Sequence, residues 1–297
     1  MTRRFRRRLN QGRKALLLGL LAASLLSVPS LAQVRTPQAS GTTVFSNGNA
    51  VIDASNASQG YVMVKYSGGT SRIKVRISKG TEYTYDLNTA GNYEVFPLTE
   101  GSGTYTIKVF QQVQGTSYAQ VMSQTVTANI ADSQSPFLYP NQFCNFNANS
   151  AVVAKAAELT GGIADPLAKV QAVYRYAIDH ISYDYQKAAS VQSGYLPVLD
   201  ATLASGKGIC FDYAAVMTSM LRSQDIPTKL VIGYTGGTYH AWVSVYLSGQ
   251  GWVDNIIYFD GTNWRYMDPT FASSGKGDAS VSNYISNQAN YQAKFTY

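Results

Sequence analysis

Between residues 41 and 131 apolar and polar positions alternate. In "SRIKVRIS" Ile73, Val75 and Ile77 fall on one side and Arg72, Lys74 and Arg76 on the other, and "YTIKVFQ" does the same with Tyr105, Ile107 and Val109. Successive side chains of a strand point to opposite faces, so a period of two predicts strands with one buried and one wet face. Turn-forming residues in "SNGN", "SGG", "NTAGN" and "EGSG" interrupt these runs. Together they predict an antiparallel sandwich of roughly seven strands over residues 41–131. Nothing in that region argues for chemistry, and it reads as a spacer or docking module.

The pattern changes at "ADSQSPFLYPNQ", where Pro136 and Pro140 bracket a segment that predicts an inter-domain connection over residues 132–148. Beyond it the period becomes helical. "DPLAKVQAVYRYAIDHI" opens on Asp165 as N-cap and Pro166 at the first helical position. It sets Leu167, Val170, Val173, Tyr174, Ala177, Ile178 and Ile181 on one face. "CFDYAAVMTSMLRSQ" predicts a second helix with Val216, Met217, Met220 and Leu221 inward. The strand-like runs "TKLVIGY", "YHAWVSVYL", "GWVDNIIYF" and "WRYMD" follow. Helices first and an antiparallel sheet second predict an α+β domain over residues 149–297.

Residues 1–32 stand apart. A basic stretch, "MTRRFRRRLNQGRK", precedes an apolar run from residue 15 to 28 and the small residues Ser30 and Ala32, the form of a cleaved secretory signal peptide. The run is shorter than the ~20 residues that span a bilayer comfortably, so a secreted protein without stable membrane insertion is expected. The segment also carries seven of the chain's 24 Lys and Arg residues and none of its 17 acidic ones. The formal net charge of +7 therefore belongs to the leader, and the remainder is balanced. Such a chain has no electrostatic case for nucleic acid.

Two cysteines in a secreted chain allow one disulfide, Cys144 to Cys210, or two free thiols. Cys210 sits in "GKGICFDYA", after two glycines and at a predicted helix start. Unpaired N–H groups and the helix dipole favour a thiolate there and would place the Cys210 amide where an oxyanion could sit. Gly206 and Gly208 would let the backbone approach a ligand. A nucleophile also needs a base and a group that orients it. His240 follows 30 residues later at the start of a strand, and Asp268 ends another strand 28 residues further on. Of the acids that follow His240, Asp260 lies in a turn-like "FDGTN" and Asp254 in "GWVDN"; Asp268, held extended by Pro269, is the expected orienter. Cys144 is expected to be a free packed thiol. Trp242, Tyr183, Tyr185 and Tyr213 could line a groove or fill the core, and Asp184 and Asp212 would brace the site by hydrogen bonding. Neither a cofactor nor a metal is implied, since close-paired ligands are lacking.

"HISYDY", "GKGICFDYA", "LRSQDIPTKLVIGY", "HAW" and "MDPT" occur in the order found in the transglutaminase-like superfamily, which this chain resembles from about Val152 to Thr270. The resemblance implies a core similar to papain-like cysteine proteases, with Cys210 as nucleophile, His240 as base and Asp268 as orienter. The family often has Asn where His180 stands, so His180 is expected to be a structural or surface residue. Many mammalian members carry Trp after the nucleophile, where Phe211 stands, and no acidic cluster has calcium-loop spacing; calcium-dependent cross-linking is not expected. The resulting expectation is a secreted cysteine acyl-transfer enzyme behind an immunoglobulin-like sandwich. It would act on amide or peptide bonds of a protein, a peptide or a cell-wall peptide, by hydrolysis rather than amine transfer. The alternative is an extracellular binding module that keeps the fold without turnover.

Overall fold

The computed structural model describes residues 34–69, 71–254, 257–259, 264–266, 270, 273 and 287–297. The predicted leader, Asp260 and Asp268 lie outside the described residues.

The N-terminal half has eight strands, one more than the alternation predicts: β1 (Val44–Asn47), β2 (Ala50–Asp53), β3 (Tyr61–Tyr66), β4 (Ile73–Ser78), β5 (Glu82–Leu87), β6 (Glu94–Pro97), β7 (Gly103–Gln114) and β8 (Ser117–Ala128). They form two antiparallel sheets, ordered β1-β2-β3-β6 and β5-β4-β7-β8. The alternating residues lie as expected. Ile73, Val75, Ile77, Tyr105, Ile107 and Val109 are buried, and they meet Ile52, Val62, Val64 and Phe96 of the other sheet in one apolar core. The edge-on contact of Tyr85 with Phe96, 5.1 Å between ring centres, joins the two sheets.

The segment after β8 is packed rather than solvated. Phe137, Leu138, Cys144 and Phe146 are buried, and Arg222 reaches into it from the second half. That guanidinium is itself buried. It donates to the carbonyls of Thr228 (2.9 Å), Tyr139 (2.6 Å) and Tyr297 (2.7 Å) and to the sulfur of Cys144 (3.2 Å). A buried cation is costly, no Asp or Glu among the described residues pairs with it, and burial lowers the Arg222 pKa. Several aligned carbonyl dipoles offset that cost.

The second half contains α1 (Ala151–Thr160), α2 (Pro166–His180), β9 (Ser182–Tyr183), α3 (Tyr185–Ser190), α4 (Leu199–Ser205), β10 (Lys207–Gly208) and α5 (Cys210–Arg222). These are followed by β11 (Thr228–Thr235), β12 (Thr238–Leu247), β13 (Gly251–Val253), β14 (Ile257–Phe259), β15 (Trp264–Tyr266) and β16 (Tyr291–Thr296). Asp165 caps α2 as expected, accepting from the amides of Leu167 and Ala168, with Pro166 at the first helical position. A sheet ordered β13-β12-β11-β16, antiparallel throughout, packs on α5. α1, α2 and α4 pack on α5 as well. The helix is therefore buried on all sides from Asp212 to Arg222, polar Thr218 and Ser219 included, whereas the sequence predicted one inward face. "GWVDNIIYF" divides into β13 and β14, and the edge strand beside β11 is β16, which the sequence pattern did not predict.

Candidate active site

Three short elements aim Cys210. α4 ends on Gly206 in the left-handed conformation, φ 60°. β10 then pairs in parallel with β9, with Gly208 opposite Tyr183. The amide of Asp184 donates to the Gly208 carbonyl at 2.9 Å and the amide of Ser182 to the Gly206 carbonyl at 2.9 Å. The chain then enters α5, with Ile209 as N-cap and Cys210 as its first residue. The packing of this junction itself requires both glycines. A side chain at Gly206 would approach the His180 carbonyl to 2.9 Å, and one at Gly208 would meet the Cβ of Asp212 at 2.7 Å. Only glycine leaves room for that contact.

Asp212 is the brace. Fully buried, it accepts from the amide of Ile209 (2.9 Å), the ammonium of Lys187 (3.0 Å) and the phenol of Tyr195 (2.5 Å). The Tyr195 phenol is pushed up by burial and by its bond to Asp212. Burial would lower the Lys187 ammonium, but its bonds to Tyr195 and Asp212 outweigh that and leave it raised. Asp184 plays a smaller part of the same kind, capping α3 through the amide of Lys187 at 2.9 Å. The tie between Lys187, Tyr195 and Asp212 fixes the stretch 191–196 beside the thiol. Sequence reasoning named Asp212 as a brace but not Tyr195 or Lys187. A helix N3 aspartate was a signal for the first, and no spacing rule links it to the others.

Cys210 is half-buried and His240 buried, and both line one cavity of about 780 Å³. His240 arrives on β12 opposite Gly233, and its ring lies nearly parallel to that of Trp242, with centroids 6.2 Å apart. Trp242 itself is core, and Tyr213 likewise is fully buried, donating to the Ile181 carbonyl. Tyr183 lines the cavity, while Tyr185 stands exposed beside it with rings in edge contact at 4.9 Å. His180 is exposed at the end of α2, stacked on Tyr176.

Both cysteines are free. Cys144 is buried, beside Arg222 and the Asn141 side chain, and burial pushes its thiol up against the opposing pull of Arg222. Of the acids weighed for His240, Asp254 follows β13, whose Val253 pairs with Val245. That places Asp254 beside Ser244, four residues along β12 from His240, roughly 13 Å at the usual strand rise. Asp268 lies outside the described residues. Among those described, no group of acids, histidines and cysteines could hold a metal ion.

One part of the cavity wall belongs to the sandwich. Lys74, Glu82, Thr84, Asp86 and Asn88 line the cavity together with Cys210 and His240. Among the described lining residues every formally charged side chain, Lys74, Glu82 and Asp86, comes from the sandwich. A region that read as a spacer thus supplies the charge of the cavity.

Residues 153–269 match the model of the transglutaminase-like superfamily. The chain carries a transglutaminase-like domain, with the α+β core that its motifs implied. It is 25% identical over 237 residues to the protein YebA of Bacillus subtilis, covering 73% of this chain and 29% of that one. It is 31% identical over 120 residues to a protein-glutamine gamma-glutamyltransferase of Pseudomonas aeruginosa, covering 35% of this chain and 18% of that one. The chain thus spans less than a third of the length of either relative. A solved Cytophaga hutchinsonii structure, provisionally assigned as a cysteine protease, is 16% identical with TM-score 0.37, covering 69% of this chain and 68% of that one.

Proposed function

We propose that the protein is a cysteine acyl-transfer enzyme in which Cys210 is the nucleophile, His240 the base and Asp268 the group that orients it. The observation that carries this reading is the convergence of Cys210, at the N-terminal end of α5, and His240 on one cavity. The thiol of Cys210 adds to an amide carbonyl while its proton passes to the His240 imidazole. The tetrahedral adduct collapses, and the leaving amine takes that proton. The thioester on Cys210 then yields to water, which surrenders a proton to His240 and restores the thiol. Amide and water become acid and amine. Attack by an amine in place of water would give a new amide, the reaction in the name of the Pseudomonas relative. Hydrolysis is the default in an open, water-accessible cavity. The substrate is a protein or peptide, a cell-wall peptide among the candidates. Residues 1–32 would direct the chain out of the cell, and among the described residues no helix is long and apolar enough to cross a membrane.

The test is acyl trapping. Wild type exposed to a protein digest and quenched in acid should carry acyl groups on Cys210 by intact mass, and Cys210→Ala should carry none. Asp268→Ala should slow acylation by about two powers of ten, while Asp254→Ala stays within a few-fold. Digest peptides held equally by wild type and Cys210→Ala, with no adduct, would instead mark a binding module.

A further inference from the structure

On the cavity side the sandwich ends in an open strand edge. β5 is the outer strand of its sheet, paired with β4 alone, and Glu82, Thr84, Tyr85 and Asp86 line the cavity that Cys210 also lines. In an antiparallel ladder the main-chain groups of successive residues turn to opposite neighbours, so the register shows which groups of β5 face outward. The Gln112 amide donates to the Arg72 carbonyl at 2.9 Å, which carries the β4–β7 register one pair further. Lys74, Arg76 and Ser78 therefore turn their main-chain groups toward β7, and Ile73, Val75 and Ile77 turn theirs toward Leu87, Tyr85 and Tyr83 of β5. Glu82, Thr84 and Asp86 are left pointing outward.

Asp86 shows that direction on its own. Its carbonyl accepts from the side-chain amides of Gln142 at 3.2 Å and Asn88 at 3.0 Å. Farther along the edge, the main-chain amides and carbonyls of Thr84 and Glu82 meet no partner among the described residues, and both residues are exposed. Natural sheets usually cover such an edge or interrupt it with proline, and β5 contains none. The strand is also fixed from behind. Tyr83 meets Phe295 at 5.5 Å between ring centres, and Tyr85 meets Phe143, whose ring centre lies 5.7 Å from that of Phe211, the neighbour of Cys210.

We propose that β5 is a docking edge for the substrate, which lies along it as an added strand with its main chain bonded to Thr84 and Glu82. This deepens the acyl-transfer reading above and rests on it for the reacting centre. An extended, proline-free peptide segment is the matching occupant, because it repeats a donor and an acceptor every two residues, about 6.7 Å, as the edge does. The described charges of the wall are one cation, Lys74, against two anions, Glu82 and Asp86, which favours basic side chains on that peptide.

The experiment reads peptide docking as protection of the thiol. Acetyl-Lys-Thr-Val-Thr-Val-Lys-amide should slow iodoacetamide labelling of Cys210, and the ratio of rates with and without peptide cancels differences in thiol reactivity. Thr84→Pro removes an outward amide and no ladder bond, as an edge position tolerates. It should raise the half-protecting peptide concentration at least about fivefold, the worth of one hydrogen bond, whereas Thr84→Val, which keeps the amide, should hold it within about twofold. A parent peptide that gives no protection overturns the proposal, and so do equal effects of the two variants. In wild type the same peptide methylated on every main-chain nitrogen should not protect. If it protects as well as its parent the proposal falls, even where Thr84→Pro fails to fold. A wild-type dimer that Thr84→Pro turns into a monomer would give the edge to a second copy and overturn it too. Labelling needs no acyl chemistry, so failed acyl trapping beside intact protection would sink the acyl-transfer reading and leave the docking edge standing.

Discussion

The sandwich and the catalytic half bury their apolar residues in different ways. β4 and β5 of the sandwich keep one face toward water, so in β4 buried Val75 and Ile77 alternate with Lys74 and Arg76. α5 keeps no dry-and-wet division: the sheet lies on one side, α1, α2 and α4 pack round the rest, and Asp212 through Arg222 are all buried. Ser219 and Arg222 find partners inside, Ser219 on the Ala215 carbonyl and Arg222 on three main-chain oxygens, while the buried Thr218 hydroxyl has none among the described residues. One half is stabilised by a repeating pattern and the other by a few specific polar ties. The sharpest test is to cut a tie.

Arg222 joins α5 to the segment after the sandwich through Tyr139 and Cys144, and to the edge of the sheet through Tyr297. Replacing Arg222 with Leu removes a cation that burial disfavours, but it leaves buried acceptors without their donor, at about 1–3 kcal/mol each. We expect Arg222→Leu to lower stability by at least about 3 kcal/mol in urea denaturation. Arg76→Leu, an exposed pair with Glu82 at 3.3 Å, should cost less than about 1 kcal/mol. Similar losses in the two variants would show that the halves are held in the same way after all.

That contrast also explains what could be read from the chain. Alternation marked the sandwich because strands such as β4 and β7 bury one face and leave the other accessible. The cap of α2 was visible because Asp165 and Pro166 act within one turn. Cys210 and His240 were visible because their chemistry is rare in this sequence, which holds two cysteines and two histidines. Long-range consequences left no local trace. β16 is an edge strand whose "YQAKFT" alternates weakly, and it is held by pairing with β11. The wall built by Lys74 and Asp86 depends on where the sandwich edge comes to rest, which no spacing along the sequence encodes. The packing of the connection was hidden for the same reason, since its burial depends on Arg222 nearly eighty residues away.

The seam between the halves offers a milder test. Tyr83 and Tyr85 of the sandwich meet Tyr297 at 5.6 and 5.9 Å between ring centres. Burial raises the Tyr85 pKa well above 10.0, with Tyr297 and Tyr83 adding to it, and the Tyr297 phenol is raised likewise, burial again leading. Below pH 10 these phenols are neutral in both folded and unfolded chains and contribute nothing to the pH dependence. Above it the unfolded chain loses their protons and the folded one does not. Stability therefore falls as pH rises, by up to about 1.4 kcal/mol per pH unit for each such group. Denaturation at pH 8 and pH 10.5 should show that fall, and Tyr85→Phe should reduce it. An undiminished slope in the variant would remove Tyr85 as a source.

The smallest effect bears most directly on what the sandwich is for. Asp86 accepts from Lys74 at 2.9 Å and lies 3.5 Å from Arg72, and its side chain and that of Lys74 are each about a quarter exposed on the wall of the cavity that Cys210 also lines. The ion pair itself is worth little at that exposure, but its two charges are not equivalent when one is removed. Asp86→Asn leaves Lys74 and Arg72 without this partner and shifts the wall by one charge toward positive, while Lys74→Gln shifts it by one charge the other way. Iodoacetate is anionic and iodoacetamide neutral, yet both alkylate the same sulfur by the same displacement, so their rate ratio at Cys210 reads the local potential and cancels changes in thiol reactivity. The ratio should rise about two- to threefold in Asp86→Asn and fall by a similar factor in Lys74→Gln at low ionic strength. Both shifts should shrink toward nothing near 1 M salt, where the screening length is about 3 Å. A sandwich that only spaces or docks would leave the ratio at its wild-type value in both variants, and its wall would then have no electrostatic reach to the thiol.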